Sequence, residues 1–173
     1  MDIFGIQTRK LFNACKLASP DMAQEALSKG AHVNGFKKTG SFSELEYNGV
    51  FGMPYVCSRG SVLETPLAFA LNFESREKNP LKRDNLSRII NLILEKPELD
   101  ISCVVQKRHK IFHQRHFDNL DDRNENFSLQ DLMSIAKYNK TVRIKQHTRV
   151  RISNKMYTRL EKFLREKQKS LTD

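Results

Sequence analysis

Three histidines and three cysteines are the side chains of this chain with the widest chemical reach. His109, His113 and His116 stand four and three residues apart. On a helix they would share a face, and imidazoles one turn apart can hold a metal ion together. No fourth ligand completes the set at a recognised spacing: Cys103 lies six residues upstream, and the acids of "DNLDD" follow without a ligand pattern. Residues 103–126 are therefore expected to form a solvated basic helix, with no metal and no cofactor. Cys15, Cys57 and Cys103 are odd in number, widely spaced and contain no C-x-x-C pair. That usage fits reduced thiols in the cytoplasm rather than a disulfide framework. Cys57 with a distant histidine would need a third group to position it, and the sequence offers none. G-x-x-x-x-G-K-S/T, G-x-S-x-G and H-E-x-x-H are all missing, so the chain reads as non-enzymatic.

Binding chemistry is better represented. In "NKTVRIKQHTRVRISN", residues 139–154, Arg143, Lys145, Arg149 and Arg151 alternate with Val142, Ile144, Val150 and Ile152. Period two indicates strands, and a turn near Gln146-His147 would place 143 opposite 151 and 144 opposite 150. Four cations then share a face, and like charges set opposite one another repel, so such a ribbon invites an anionic counterpart. A solvated basic loop is the plainer alternative. The net charge of +10 is concentrated in the same half: residues 103–173 carry 17 Lys/Arg against 8 Asp/Glu, whereas residues 1–102 carry 13 against 12. An acidic partner surface, or alternatively nucleic acid or an anionic membrane, would be drawn to residues 107–169. Aromatic interleaving for single-strand stacking is lacking there, as is a helix-turn-helix.

A second binding patch is expected in residues 35–64, which hold five of the seven glycines and five of the fifteen aromatic rings. Asn48-Gly49 in "EYNGVF" is a strong two-residue hairpin signal, because both turn positions require positive φ. Phe42, Tyr47 and Phe51 are the candidate partner-binding rings of this finger. They could instead pin a long loop to the nearest helices.

The elements that position these patches read as helical pairs. In "ETPLAFAL", Thr65 caps a helix that opens on Pro66, whose missing N–H is one of the orphan donors at a helix start. "LFNA" at residues 11–14 is an earlier counterpart. It is followed by Ser19-Pro20, by an apolar face of Met22, Ala23, Ala26 and Leu27, and by a closing Gly30. After the Thr-Pro helix, Leu86, Ile89, Ile90, Ile93 and Leu94 repeat at helical spacing up to Pro97. Residues 72–85, charged and bounded by Pro80, are expected to be a solvated loop inside that pair. A weaker third pair begins at Ser128-x-x-Asp131, close to a capping box, and ends with Met156, Leu160, Phe163 and Leu164 on one face.

Thr65, Pro66, Leu67 and Ala70 in the first helix, Ile89, Leu92 and Leu94 in the second, and Leu27, Gly30, Ala31, Val33 and Asn34 at the exit turn resemble the ankyrin repeat. Their spacing departs from the family: Leu11 to Leu67 is 56 residues and Leu67 to Met133 is 66, where the family repeats at about 33. The resemblance implies an all-α fold, a single domain over residues 1–173. It would comprise about three units near 8–34, 64–102 and 128–167, with insertions near 35–63 and 103–127, and β-hairpin-like insertions among the helices. It also implies a protein–protein interaction module. Small degenerate members of this kind are similar to effectors that intracellular bacteria deliver into host cells, which implies a host protein as partner. No apolar run reaches the roughly 18 residues of a membrane span, and no secretory signal is evident at the N-terminus.

Overall fold

Every described helix after the first begins where a side chain supplies an acceptor for its orphan N–H groups; the first starts after Gly5 without one. The computed structural model describes residues 5–47, 54–113, 119–138 and 152–169, with the outer parts of the strands given as backbone alone. Among these the order is α1 (Ile6–Leu17), α2 (Pro20–Ser28), β1 (Lys37–Tyr47), β2 (Pro54–Glu64), α3 (Pro66–Arg76), α4 (Pro80–Leu94), β3 (Val105–His113), β4 (Asn119–Phe127), α5 (Leu129–Tyr138) and α6 (Asn154–Lys169).

Proline opens three of these helices, α2, α3 and α4, and the residue before it is the cap in each. Ser19 Oγ accepts from Met22 N–H at 3.4 Å, Thr65 Oγ1 from Ala68 N–H at 3.5 Å, and Asn79 Oδ1 from Leu81 and Lys82 N–H at 3.0 and 3.3 Å. Between α1 and α2 the chain reverses through Ala18, held in the left-handed region at φ 52°. Gly30, at φ 84°, closes α2. At α5 the capping box forms: Ser128 N–H donates to Asp131 Oδ2 at 2.8 Å, and Asp131 N–H donates back to Ser128 Oγ at 3.1 Å.

Within each pair the helices pack on one another, α1 on α2 and α3 on α4, and the pairs stack with α1 against α3 and α2 against α4. Leu27, Leu67, Ala70, Ile90 and Leu94 all fall in one continuous core, which runs on through Leu129, Leu132, Met156 and Leu160. α6 is tied to this stack by a buried polar link. Ser153 Oγ accepts from Met156 N–H at 3.3 Å and donates to Glu74 Oε1 on α3 at 2.9 Å. Glu74 is fully buried, and its Oε2 has no partner among the described residues.

The all-α expectation is overturned. β1 pairs with β2 and β3 with β4, as antiparallel hairpins, but β2 also pairs with β3 along its length, from Val56↔His113 to Glu64↔Val105. The two insertions therefore fuse into a four-stranded antiparallel sheet of order β1-β2-β3-β4, and the fold is mixed α and β. The reason is backbone satisfaction. Two separate hairpins would each leave an inner edge of unpaired N–H and C=O groups, and joining them removes both edges.

Two further expectations change with it. Residues 103–126 are not a basic helix, since β3 occupies Val105–His113 and β4 Asn119–Phe127. Residues 72–85 are not a solvated loop: α3 continues to Arg76 and α4 starts at Pro80, so only residues 77–79 connect them. Pro80 bounds that segment because it is the first residue of a helix, with Asn79 as its cap. The expected basic ribbon over 139–154 lies outside the described residues up to position 151, and Asn154 already belongs to α6.

Candidate functional site

The sheet has two chemically different faces, fixed by its register. One face at the base carries Lys37, Glu64, Val105 and Phe127 in a single row, then Gly40, Val62, Lys107 and Glu125. Val105 belongs to the core, and Val62 and Phe127 pack against it. Lys37 Nζ sits 5.3 Å from the Phe12 ring centroid and 5.4 Å from that of Phe69, so this cation joins the sheet to α1 and α3. Lys107 Nζ lies 5.7 Å from the Phe127 ring, with its stem buried. This face is the inner one.

The opposite face carries Lys38, Ser41, Arg59, Ser61, Arg108, Gln106, Asn124 and Asn126. Lys38, Arg59 and Arg108 are exposed, and the row of Arg59 continues across the same face through Lys110 to Asp122. Gln106 is the hub of its polar rows: its Oε1 accepts from Arg108 Nε at 2.8 Å, and its Nε2 donates to Asn126 Oδ1 at 3.0 Å. Like cations on one sheet face repel, which favours an anionic group laid across them. Sequence reading missed this grouping because its three members come from three strands that only the long-range register aligns.

Where sheet meets helix, the anchoring is polar and tight. Thr65 is 1 % exposed; its N–H and its hydroxyl both donate to Val104 O, at 3.0 and 3.1 Å. Beside it, Glu64 is 8 % exposed and accepts from Asn72 Nδ2 at 3.5 Å. Burial pushes the Glu64 carboxyl above its ordinary range, partly offset by hydrogen bonding from Thr39 and Asn72 and by the charge of Arg76.

Of the expected partner-binding residues, Phe42 and Tyr47 fall among the described ones. Phe42 and Tyr47 fall on β1 opposite Gly60 and Pro54, with a register irregularity between Glu46 and Tyr47. Phe51, Arg143, Lys145, Arg149 and Arg151 lie outside the described residues. His109 and His113 occupy one strand four positions apart, roughly 13 Å along it, so their helical-spacing argument for a shared metal fails. His116 lies outside the described residues, among which no cluster of metal-ligating side chains occurs.

Neither described thiol is set up as a nucleophile. Burial pushes the Cys15 thiol up to about 12, and burial with the nearby Asp100 charge raises that of Cys103. No helix among the described residues is long and apolar enough to cross a membrane. Comparison with protein-family models, with curated proteins and with solved structures returns no match to this chain.

Proposed function

We propose that this chain is a non-enzymatic protein–protein interaction module of the ankyrin-repeat type, working in the cytoplasm. The observation that carries the reading is the recurring order of helix pair then long hairpin, with successive pairs stacked and the hairpins joined into one sheet. Stacked units of this kind need neighbours to bury their faces, and they offer an extended surface to a partner. Strands of nine to eleven residues span roughly 30–36 Å, and Val62, Val105 and Phe127, the sheet residues that join the core, lie at its base. Phe42, Tyr47 and Phe51 remain the rings proposed to meet it.

The test is a pull-down from eukaryotic lysate with the parent and with a Phe42→Ser/Tyr47→Ser/Phe51→Ser variant, at low and high salt. A partner retained at high salt by the parent and lost by the variant, with unchanged melting temperature, supports the reading. Loss of folding in the variant would assign the rings to the core and remove them from the surface.

A second reading, binding to a polyanion, is favoured by the exposed Lys38, Arg59 and Arg108 on the outer sheet face. Residues Arg143, Lys145, Arg149 and Arg151 would add to it. Recovery of nucleic acid only at low salt would support this reading, since each neutralised phosphate releases counterions.

A further inference from the structure

On the side of the molecule formed by α4 and α6, the two helices border a groove of about 860 Å³. α4 lines it with Leu81, Asp84, Arg88 and Asn91, spaced three or four residues apart and so on one helical face. α6 lines it with Lys155, Arg159 and Lys162 at the same spacing. Two polar links cross it: Lys155 Nζ to Asp84 Oδ1 at 3.1 Å, and Arg159 Nε to Asn91 Oδ1 at 3.2 Å. Met156, 3 % exposed, contributes an apolar patch to the lining, and Leu81 at one end is 71 % exposed.

We propose that this groove docks a short acidic segment of a partner protein, with one apolar side chain seated against Leu81 and Met156. Four cations line it: Lys155 is held by Asp84 and Lys162 pairs with Glu166 at 3.7 Å, which leaves Arg88 and Arg159 to meet a ligand. Arg88 has no ion pair or hydrogen bond among the described residues. Arg159 spends its Nε on Asn91, which leaves the donors of its two terminal nitrogens for a carboxylate in the fork geometry that guanidinium favours. The groove follows α4 from Leu81 to Asn91, roughly 15 Å by helical rise, the length of about five extended residues.

Charge complementarity alone would also suit nucleic acid, but two features favour a peptide. Asp84 would repel a phosphate backbone, whereas a peptide N–H donates to it. An exposed leucine beside a buried methionine gains from an apolar side chain, which a sugar-phosphate chain does not present. The proposal rests on the interaction reading only in taking the partner to be a protein, and it uses none of the hairpin residues.

The experiment titrates the full chain into a fluorescein-labelled ten-residue peptide of Asp, Glu and Leu and follows anisotropy at two salt concentrations. An Arg88→Gln/Arg159→Gln variant should bind it at least tenfold more weakly and with less salt dependence. Leu81→Ser should weaken binding severalfold, and the exposure of Leu81 keeps the melting temperature unchanged, so this variant reads the groove even if the double variant fails to fold. The hairpin triple variant should bind the peptide like the parent. If peptide binding persists while the triple-variant pull-down shows no hairpin-dependent partner, the hairpin reading fails and the groove stands. Equal affinity in parent and groove variants would overturn the proposal. So would a labelled thymidine oligonucleotide whose binding is lost in the same variants, or self-association abolished by them.

Discussion

Asn34, at the exit of the first helical pair, is bonded on both ends of its amide to the exit of the second. Its Oδ1 accepts from Asp100 N–H at 2.9 Å, and its Nδ2 donates to Glu98 O at 2.7 Å. One side chain thus replaces, across 64 to 66 residues of sequence, the local hydrogen bonds that two adjacent turns cannot make with each other. Asn34→Ala should lose about 1–3 kcal/mol, the net value of two such bonds. Asn34→Asp should be no better at neutral pH, because an oxygen then faces the Glu98 carbonyl. Urea unfolding checks both, and an Asn34→Ala midpoint equal to the parent's would sink the idea.

The stacking of pairs gives a sharper expectation. Leu94 is 7 % exposed and belongs to the single core cluster that spans all six helices. Leu94→Ala should cost about 2–5 kcal/mol, the transfer term plus the cavity left behind. Thermal or denaturant unfolding measures it, and a loss under about 1 kcal/mol would show that the site collapses freely.

Helix starts and core positions were legible in the chain because their causes are local. Thr65-Pro66 and Ser19-Pro20 carry the cap and the φ constraint in two adjacent residues, and the Leu86–Leu94 spacing writes one helix face directly. Asn79-Pro80 carried the same signal. The charged run from Glu74 to Asp84 makes it read as a loop, because it hides the end of α3 and the start of α4. The sheet was less legible. β3 reads Val-Gln-Lys-Arg-His-Lys-Ile-Phe-His, without alternation of apolar and polar residues, so nothing local distinguishes it from a basic helix. What makes it a strand is β2, some fifty residues away, with a complementary open edge. Of the surface chemistry, the expected turn at Asn48-Gly49 lies outside the described residues, and the pairing of Tyr47 with Pro54 does not fit a two-residue turn there. The grouping of Lys38, Arg59 and Arg108, and the stripe facing across from α4 to α6, depend on long-range register and packing that no single segment encodes.

Glu64 makes stability pH-dependent in a definite direction. Its folded carboxyl titrates above the ordinary value, chiefly because burial disfavours the charged form. The stability it contributes is therefore fully present below the unfolded pKa and is lost as pH rises through the folded one. Glu64→Gln, which stays neutral, should gain on the parent as pH is raised from about 4 to 7. Unfolding curves at several pH values give the difference, and a variant that loses ground to the parent as pH rises would contradict the assignment.

Hairpin joining carries its own test. Thr65 closes the sheet base by donating twice to Val104 O, while its hydroxyl caps α3. Thr65→Val keeps the shape and the N–H bond but loses the cap and the hydroxyl donor, at a cost of about 1–2 kcal/mol. Amide hydrogen exchange should quicken in the first turn of α3 more than in α1. Uniform quickening would mean that Thr65 acts through global stability alone.

Cys15 offers a reading of that global stability from inside the core. It is wholly buried on α1, and its thiol is pushed up to about 12 by burial, so almost no thiolate exists in the native state at pH 8. Alkylation must then wait for unfolding. Cys103 is only half-buried, and its thiol, raised by burial and by the Asp100 charge, should react slowly from the folded protein. With Cys57 replaced by Ser to leave two thiols, mass spectrometry of iodoacetamide labelling separates the two rates. Asp100→Asn should speed Cys103 by removing a charge that opposes its thiolate, while leaving Cys15 largely unaffected. Leu94→Ala should do the reverse: a loss of 2 kcal/mol raises the unfolded fraction, and the Cys15 rate with it, by about thirtyfold. Cys15 reacting as fast as Cys103 in the otherwise unaltered chain would mean that α1 opens independently of the core around Leu94, and the continuous stack from the first pair to the last would have to be given up.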